Sequence, residues 1–546
     1  MRNLHFISVC ILVLVATIGS AATPEQEKRV AELRAVATAN PYAARPARRL
    51  GFALREAGQL EEARDWFEKA LALDGDSPGD LYNLACMYGV LNEPEKALDY
   101  LEKALDHRFA EDDILLSDAD LEAVRKLPRF QEITGFYPPA NLSRDEQWRY
   151  DLDFFARRME RMHWNLYAHF PKPDFIREVE SLKTDVPKLS DAQVRARLRR
   201  IIARVGDGHT LLSAWRDGDS TATRFPVDLY LFSDGIFVRG AAKEYRRIVG
   251  SRVVKFGPIS ADAAYEAMKP CLSVDNEMGY RDYVPSLAST DLLEAIGASE
   301  PGKKLELTLS REDGSTFKQS IATRTIKRQS PRKTRIDGFV YADDAATAPV
   351  PLWKKDQDKT LWYEYRRDQN LVYCWMSAID DTKDKTFEAF CNEMFEFIEK
   401  NKVERLVLDM RLNGGGNTGV VLPLIHGIVR SRVNEAGKLY TIIGRRTFSA
   451  AMNTVSLLEL HTATTFVGEP TGSRPNFVGE STSFVLPCTR YRVYCSSRYW
   501  QHVSSTDTRP WIAPAMVAEM SSRDFAANRD PAMDAIFAEI SKPATN

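Results

Sequence analysis

Several scarcities narrow what this chain can be. It has no surplus of either charge: 74 Lys and Arg stand against 76 Asp and Glu, a net charge of −2. No dense Lys/Arg stripe breaks that balance, so there is no electrostatic footprint for nucleic acid. Cysteine is sparse, with seven in 546 residues, and Cys10 falls in a leader segment. That is too few for the stapled framework of a small secreted domain. Cys488 and Cys495 flank a strand-like stretch and could pair in an exported protein, although scattered cysteines read better as buried thiols. No CxxC or histidine-rich spacing points to a metal, and no cofactor is expected. Beyond the N-terminus, no apolar run is long enough to span a bilayer.

What is present begins with a leader. Met1-Arg2-Asn3 carries one positive charge, Ile7 to Ile18 is apolar, and Gly19-Ser20-Ala21-Ala22 offers small residues for cleavage. This is the pattern of a secretory signal over residues 1–22, with Cys10 poorly placed for lipidation behind the bulky Val9. The mature protein is expected to be exported, periplasmic or secreted. The remaining length suggests about three domains.

Residues 23–136 read as helices that repeat. Leu50, Gly51, Leu54, Ala63, Phe67 and Ala70 recur as Leu84, Ala85, Tyr88, Ala97, Leu101 and Ala104, each pair 34 residues apart. That period and its small/large alternation resemble the tetratricopeptide helix pair. Helical segments at 24–38 and 116–135 are expected to cap the array, which would serve a protein partner or act as a spacer. After the linker Tyr137-Pro138-Pro139-Ala140, residues 143–216 read as helical, with a break at Gly206-Asp207-Gly208-His209. From 224 to 326 the text turns to short strands, including a hairpin around Ser233-Asp234-Gly235. Residues 325–360 read as a connecting loop. Residues 360–543 read as an α/β core with partly parallel pairing, since strands and helices alternate from Leu371 onward.

The chemistry sits in that last region. Leu406-Val407-Leu408 is a short buried-strand pattern that stops at Asp409 and Arg411 and breaks into Gly414-Gly415-Gly416. Three glycines let a backbone turn its N–H groups outward, as an oxyanion hole requires. A second strand pattern, Leu439 to Ile443, delivers Thr447-Phe448-Ser449-Ala450-Ala451 to the start of a helix. A serine at such a turn lies over a helix N-terminus, where the next N–H can face a developing oxyanion.

"LVLDMRLNGGGN" followed by "TFSAA" resembles the C-terminal-processing (tail-specific) peptidase superfamily, which includes the tricorn-like peptidases, over roughly residues 143–540. The resemblance implies a helical N-terminal part, a PDZ-like β module, and an α/β catalytic core of crotonase-like ββα type. It makes Ser449 the nucleophile and places the oxyanion hole at Gly414, Gly415 and Ala450. The processing form of the family uses a lysine about 25 residues after the serine. The matching residue here is Arg474, which stays protonated and cannot accept the serine proton. The tricorn-like form uses a histidine, which His209 matches; His461 and His502 are the alternatives by order. The third member of a triad matches Asp507 most nearly, with Glu469 and Glu480 as other acids. Asp409 and Arg411 are expected to pair with each other rather than react. These readings imply an exported serine peptidase acting on peptides or proteins. The rivals are an inactive peptide-binding relative and a hydrolase of non-peptide esters or amides.

Overall fold

The computed structural model describes residues 22–327 and 334–542, so the leader lies outside the described residues. The chain forms two units: 22–163 with 486–488, and 164–485 with 489–542.

The first unit is helical. Pro24–Ala39, Ala44–Glu56, Leu60–Asp74, Pro78–Val90 and Pro94–Asp106 follow one another with short turns. The repeated small residues lie where the helices meet. A Cβ on Gly51 would lie 2.9 Å from the Phe67 ring, so that helix pair closes only around glycine. Ala63, Ala97 and Leu101 are fully buried and Phe67 nearly so. Residues 112–134 form four short helical pieces, not one long cap. The helix Arg144–Met162, started by a Ser143–Glu146 capping box, belongs to this unit and not with the helices that follow it.

Among the described residues, the second unit holds four sheets. Leu361–Arg366, Leu371–Met376, Arg405–Asp409, Leu439–Ile443, Thr465–Gly468 and Met516–Val517 lie side by side in that order. The first pair is antiparallel and the others are parallel. Leu371–Met376 and Leu439–Ile443 are buried throughout, which explains text that is apolar but for Thr441. One face packs on the helices Phe387–Lys400, Leu422–Arg430 and Ala450–His461; the other packs on the C-terminal helix Pro531–Ile540. A seven-stranded antiparallel sheet contains the expected hairpin, Val227–Phe232 with Gly235–Ala242. A three-stranded sheet joins Leu211–Arg216, Tyr491–Gln501 and Asn476–Val485.

Two expectations need correction. The helical reading of 143–216 fails at its end: the last helix stops at Ala203, and Leu211–Arg216 is a strand paired with Tyr491–Gln501. Its Leu and Ala residues suit a helix, but a partner strand far along the chain overrides that preference. The presumed loop 325–360 holds the end of strand Arg324–Lys327 and strand Phe339–Tyr341, each pairing with a distant segment. Among the described residues, no helix is long and apolar enough to cross a membrane. Cys86, Cys271, Cys374, Cys391 and Cys495 are buried and Cys488 is partly so, as the buried-thiol reading expects of most of them.

Candidate active site

The serine turn is built by its own backbone. Thr447 is buried; its N–H donates to Gly444 O at 2.8 Å and its hydroxyl to Met410 O at 2.9 Å. Phe448 N–H donates to Asn413 O at 3.1 Å, which ties this turn to the triple-glycine turn. Ser449 then takes φ 56° and ψ −125°, left-handed backbone that a non-glycine residue rarely adopts, and the helix Ala450–His461 starts immediately after it. The partly exposed serine is thereby lifted onto the helix N-terminus.

The glycine turn lies directly against it. Gly415 has φ +112°, and a Cβ there would fall 2.7 Å from Ser449 Cβ and 3.0 Å from Ala450 N. The Gly415 N–H donates to Asn413 Oδ1 at 3.0 Å, while Ile379 N–H donates to Gly415 O at 3.0 Å. Gly414 is exposed, with no atom within 4 Å of its would-be Cβ.

His209 comes from the other side. Asp207 shapes its turn: Oδ1 accepts from His209 N–H at 2.9 Å, Thr210 N–H at 2.7 Å and the Ser496 hydroxyl at 2.7 Å. The imidazole is stacked between Phe448, at 4.3 Å between ring centroids, and Phe477, at 5.3 Å. One aromatic ring, that of the residue preceding Ser449, therefore lies against His209. Neither ring nitrogen makes a hydrogen bond of good geometry, which is unusual for a buried polar group. Burial lowers the imidazole pKa to about 4, opposed by the Asp207 charge and the nearby Val478 backbone.

The other named residues lie as follows. His461 is exposed at the far end of the helix that starts after Ser449, roughly 16 Å away along its axis. His502 stacks on Trp500 at 5.8 Å. Asp507 accepts from Arg509 Nε at 3.1 Å, and Arg509 also reaches Glu459 at 2.7 Å; the guanidinium holds the Asp507 carboxyl below its ordinary range. Glu480 has φ 57° and follows Gly479, whose would-be Cβ lies 3.2 Å from His209 Cε1. Asp409 pairs with Arg411 at 2.9 Å, as expected, and Arg411 continues to Asp530 at 2.8 Å. Arg474 Nε donates to the Asp275 carbonyl at 2.9 Å. Sequence reading missed Phe448, Phe477, Asn413 and Asp207 as parts of the site, although three of them adjoin or lie inside the motifs.

Glu469 is structural. Its carboxylate is buried and accepts from Arg445 Nε at 2.8 Å, while Arg445 also donates to Leu231 O at 2.7 Å. Glu469→Ala leaves a buried guanidinium uncompensated and is expected to cost about 3–5 kcal/mol. A lowered urea midpoint with an unchanged slope would register that loss; an unchanged midpoint would refute it.

The tetratricopeptide repeat model matches residues 42–108. No curated protein matches the sequence. Among solved structures, mature CPAF in complex with lactacystin is 10% identical with a TM-score of 0.52, covering 72% of this chain and 98% of that one. Mature CPAF alone gives a TM-score of 0.51 at 10% identity, over 72% and 97%. The photosystem II D1 C-terminal processing protease overlaps at a TM-score of 0.36 and 13% identity, over 74% and 99%. The chain thus joins a tetratricopeptide array to a mixed α/β region that shares the fold of CPAF.

Proposed function

We propose that this chain is a serine peptidase, expected to act after export, in which Ser449 is the nucleophile and His209 the general base. The observation that carries this reading is the junction itself. Ser449 sits strained over a helix N-terminus, packed on Gly415, and the ring of the preceding Phe448 stacks on a buried histidine whose ring nitrogens have no good partner.

The chemistry follows from those roles. Ser449 Oγ attacks the carbonyl carbon while His209 takes its proton and passes it to the leaving amine, so a C–O bond forms and the C–N bond breaks. Water, deprotonated by the same imidazole, then cleaves the acyl ester and restores the serine. Because the Gly415 N–H is engaged by Asn413, we assign the oxyanion to the N–H groups of Gly414 and Ala450, with Gly415 as the spacer that fixes their separation. For the orienting acid we carry forward Asp507, whose pair with Arg509 would have to open, against Glu480 on the strand beside His209. Asp507→Asn and Glu480→Gln separate them, since losing a triad carboxylate costs about 10⁴-fold in kcat.

The β-rich stretch 224–326 is read as a PDZ-like module and the core as crotonase-like. The tetratricopeptide region would engage a protein partner, consistent with its repeated helix pairs. The test is covalent labelling with a fluorophosphonate probe, followed by a peptide-versus-ester substrate panel. Labelling lost in Ser449→Ala and His209→Ala but retained in His502→Ala fits the proposal. A folded wild type that never labels would instead favour an inactive peptide-binding protein.

A further inference from the structure

One buried carboxylate joins the β-rich module to the histidine turn and belongs to neither motif. Asp275, 5% exposed, lies just before the short helix Glu277–Asp282. Its Oδ1 accepts the Gly208 N–H at 2.7 Å, and its Oδ2 accepts the hydroxyl of the fully buried Ser473. The neighbouring Asn276 donates through Nδ2 to Thr471 O at 3.0 Å and Pro510 O at 2.7 Å, while its Oδ1 caps the helix. This segment therefore clamps two things at once: the turn carrying His209, and the loop that follows strand Thr465–Gly468. Space at the clamp is tight. A Cβ on Gly208 would lie 3.2 Å from Asp275 Oδ1 and 2.9 Å from the Phe448 ring, the ring that stacks on His209.

Resting on the reading of His209 as base, we infer that Asp275 is a positioning residue that fixes the histidine turn from the β-rich module through Gly208 and Ser473. Its charge state matters because both bonds are charge-assisted when the carboxylate is ionised, and weaker when it is neutral. Burial pushes this carboxyl up to about 6, and the nearby Asp207 charge adds to the rise; Ser473, Gly208 and Arg474 oppose it. Tyr283 lies within electrostatic reach of it as well. The imidazole, held near 4, stays neutral while Asp275 titrates. Loss of rate on acidification through about pH 6 would thus report the clamp and not the base.

The experiment measures fluorophosphonate labelling rates of the full chain from pH 5 to 9, with Ser449→Ala as the blank. Wild type should slow as pH falls through about 6. Asp275→Asn keeps the shape but mimics the neutral acid, so its profile should be flat at the low-pH plateau of wild type, about 10-fold below wild type at pH 8. Asp275→Ala should fall about 100-fold. Ser473→Ala removes a bond that favours the charged form, so its inflection should move to higher pH. Asp275→Asn with the wild-type inflection, or with the wild-type rate at pH 8, would overturn the assignment while leaving the serine hydrolase reading intact. Absent labelling of wild type, or labelling that survives Ser449→Ala, would overturn that reading and this inference with it.

Discussion

Ser449→Ala is expected to abolish probe labelling and to lower peptide hydrolysis by about 10⁶-fold, and His209→Ala by a similar factor. The two changes should not add in the double variant, because nucleophile and base act in one proton transfer. The serine is held by backbone bonds from Thr447, Phe448 and Asn453, none of which uses its hydroxyl, so Ser449→Ala should keep the fold. It should even relieve nothing of the φ 56° strain, since alanine has the same Cβ. His209→Ala is different. It opens space between Phe448 and Phe477, and some stability is expected to go with the lost stacking, about 1–2 kcal/mol. Imidazole added to His209→Ala offers a sharp check: partial recovery of rate without recovery of thermal midpoint separates proton transfer from packing. Retained hydrolysis in Ser449→Ala would end the covalent mechanism outright.

What could be read from the sequence was whatever is written locally. The strand that stops at Asp409, the three glycines, and the serine before an apolar helix are each decided within about a dozen residues by period and turn chemistry. Their pairing is then forced, because Arg405–Asp409 and Leu439–Ile443 are parallel neighbours and both turns follow the carboxyl ends of those strands. The 34-residue period was legible for the same reason, since each helix pair repeats its own small and large positions. Strand Leu361–Arg366 escaped because its alternating aromatic and charged residues suit a half-exposed edge as well as a loop. Asp275 escaped for a stronger reason: its partners Gly208 and Ser473 lie 67 and 198 residues away, and no local pattern marks a contact that only the assembled fold creates.

The three glycines should separate cleanly on substitution by alanine, and the middle one should show the largest catalytic loss. Gly414 has open space at its Cβ position and no left-handed backbone, and the substitution keeps its N–H. Gly414→Ala should therefore stay within a few-fold of wild type in rate and within about 0.5 kcal/mol in stability. Gly416 has φ +141°, and its would-be Cβ collides with the Ile379 carbonyl, the same carbonyl that accepts Asn417 N–H at 2.6 Å. Gly416→Ala must break that bridge to the neighbouring strand, so its main effect should be a lower unfolding midpoint. Gly415 differs from both. Its would-be Cβ meets Ser449 Cβ at 2.7 Å and Ala450 N at 3.0 Å, so a methyl group would push the nucleophile and cover an assigned oxyanion donor together. Gly415→Ala is expected to lower kcat by about 10²–10³-fold, the scale of one lost oxyanion contact, with less change in KM. Circular dichroism melting beside the kinetics distinguishes the cases. Gly415→Ala should also lower the melting midpoint, since φ +112° strains an alanine; if it kept the wild-type rate while Gly414→Ala lost rate, the spacer and donor roles assigned to these two residues would be overturned.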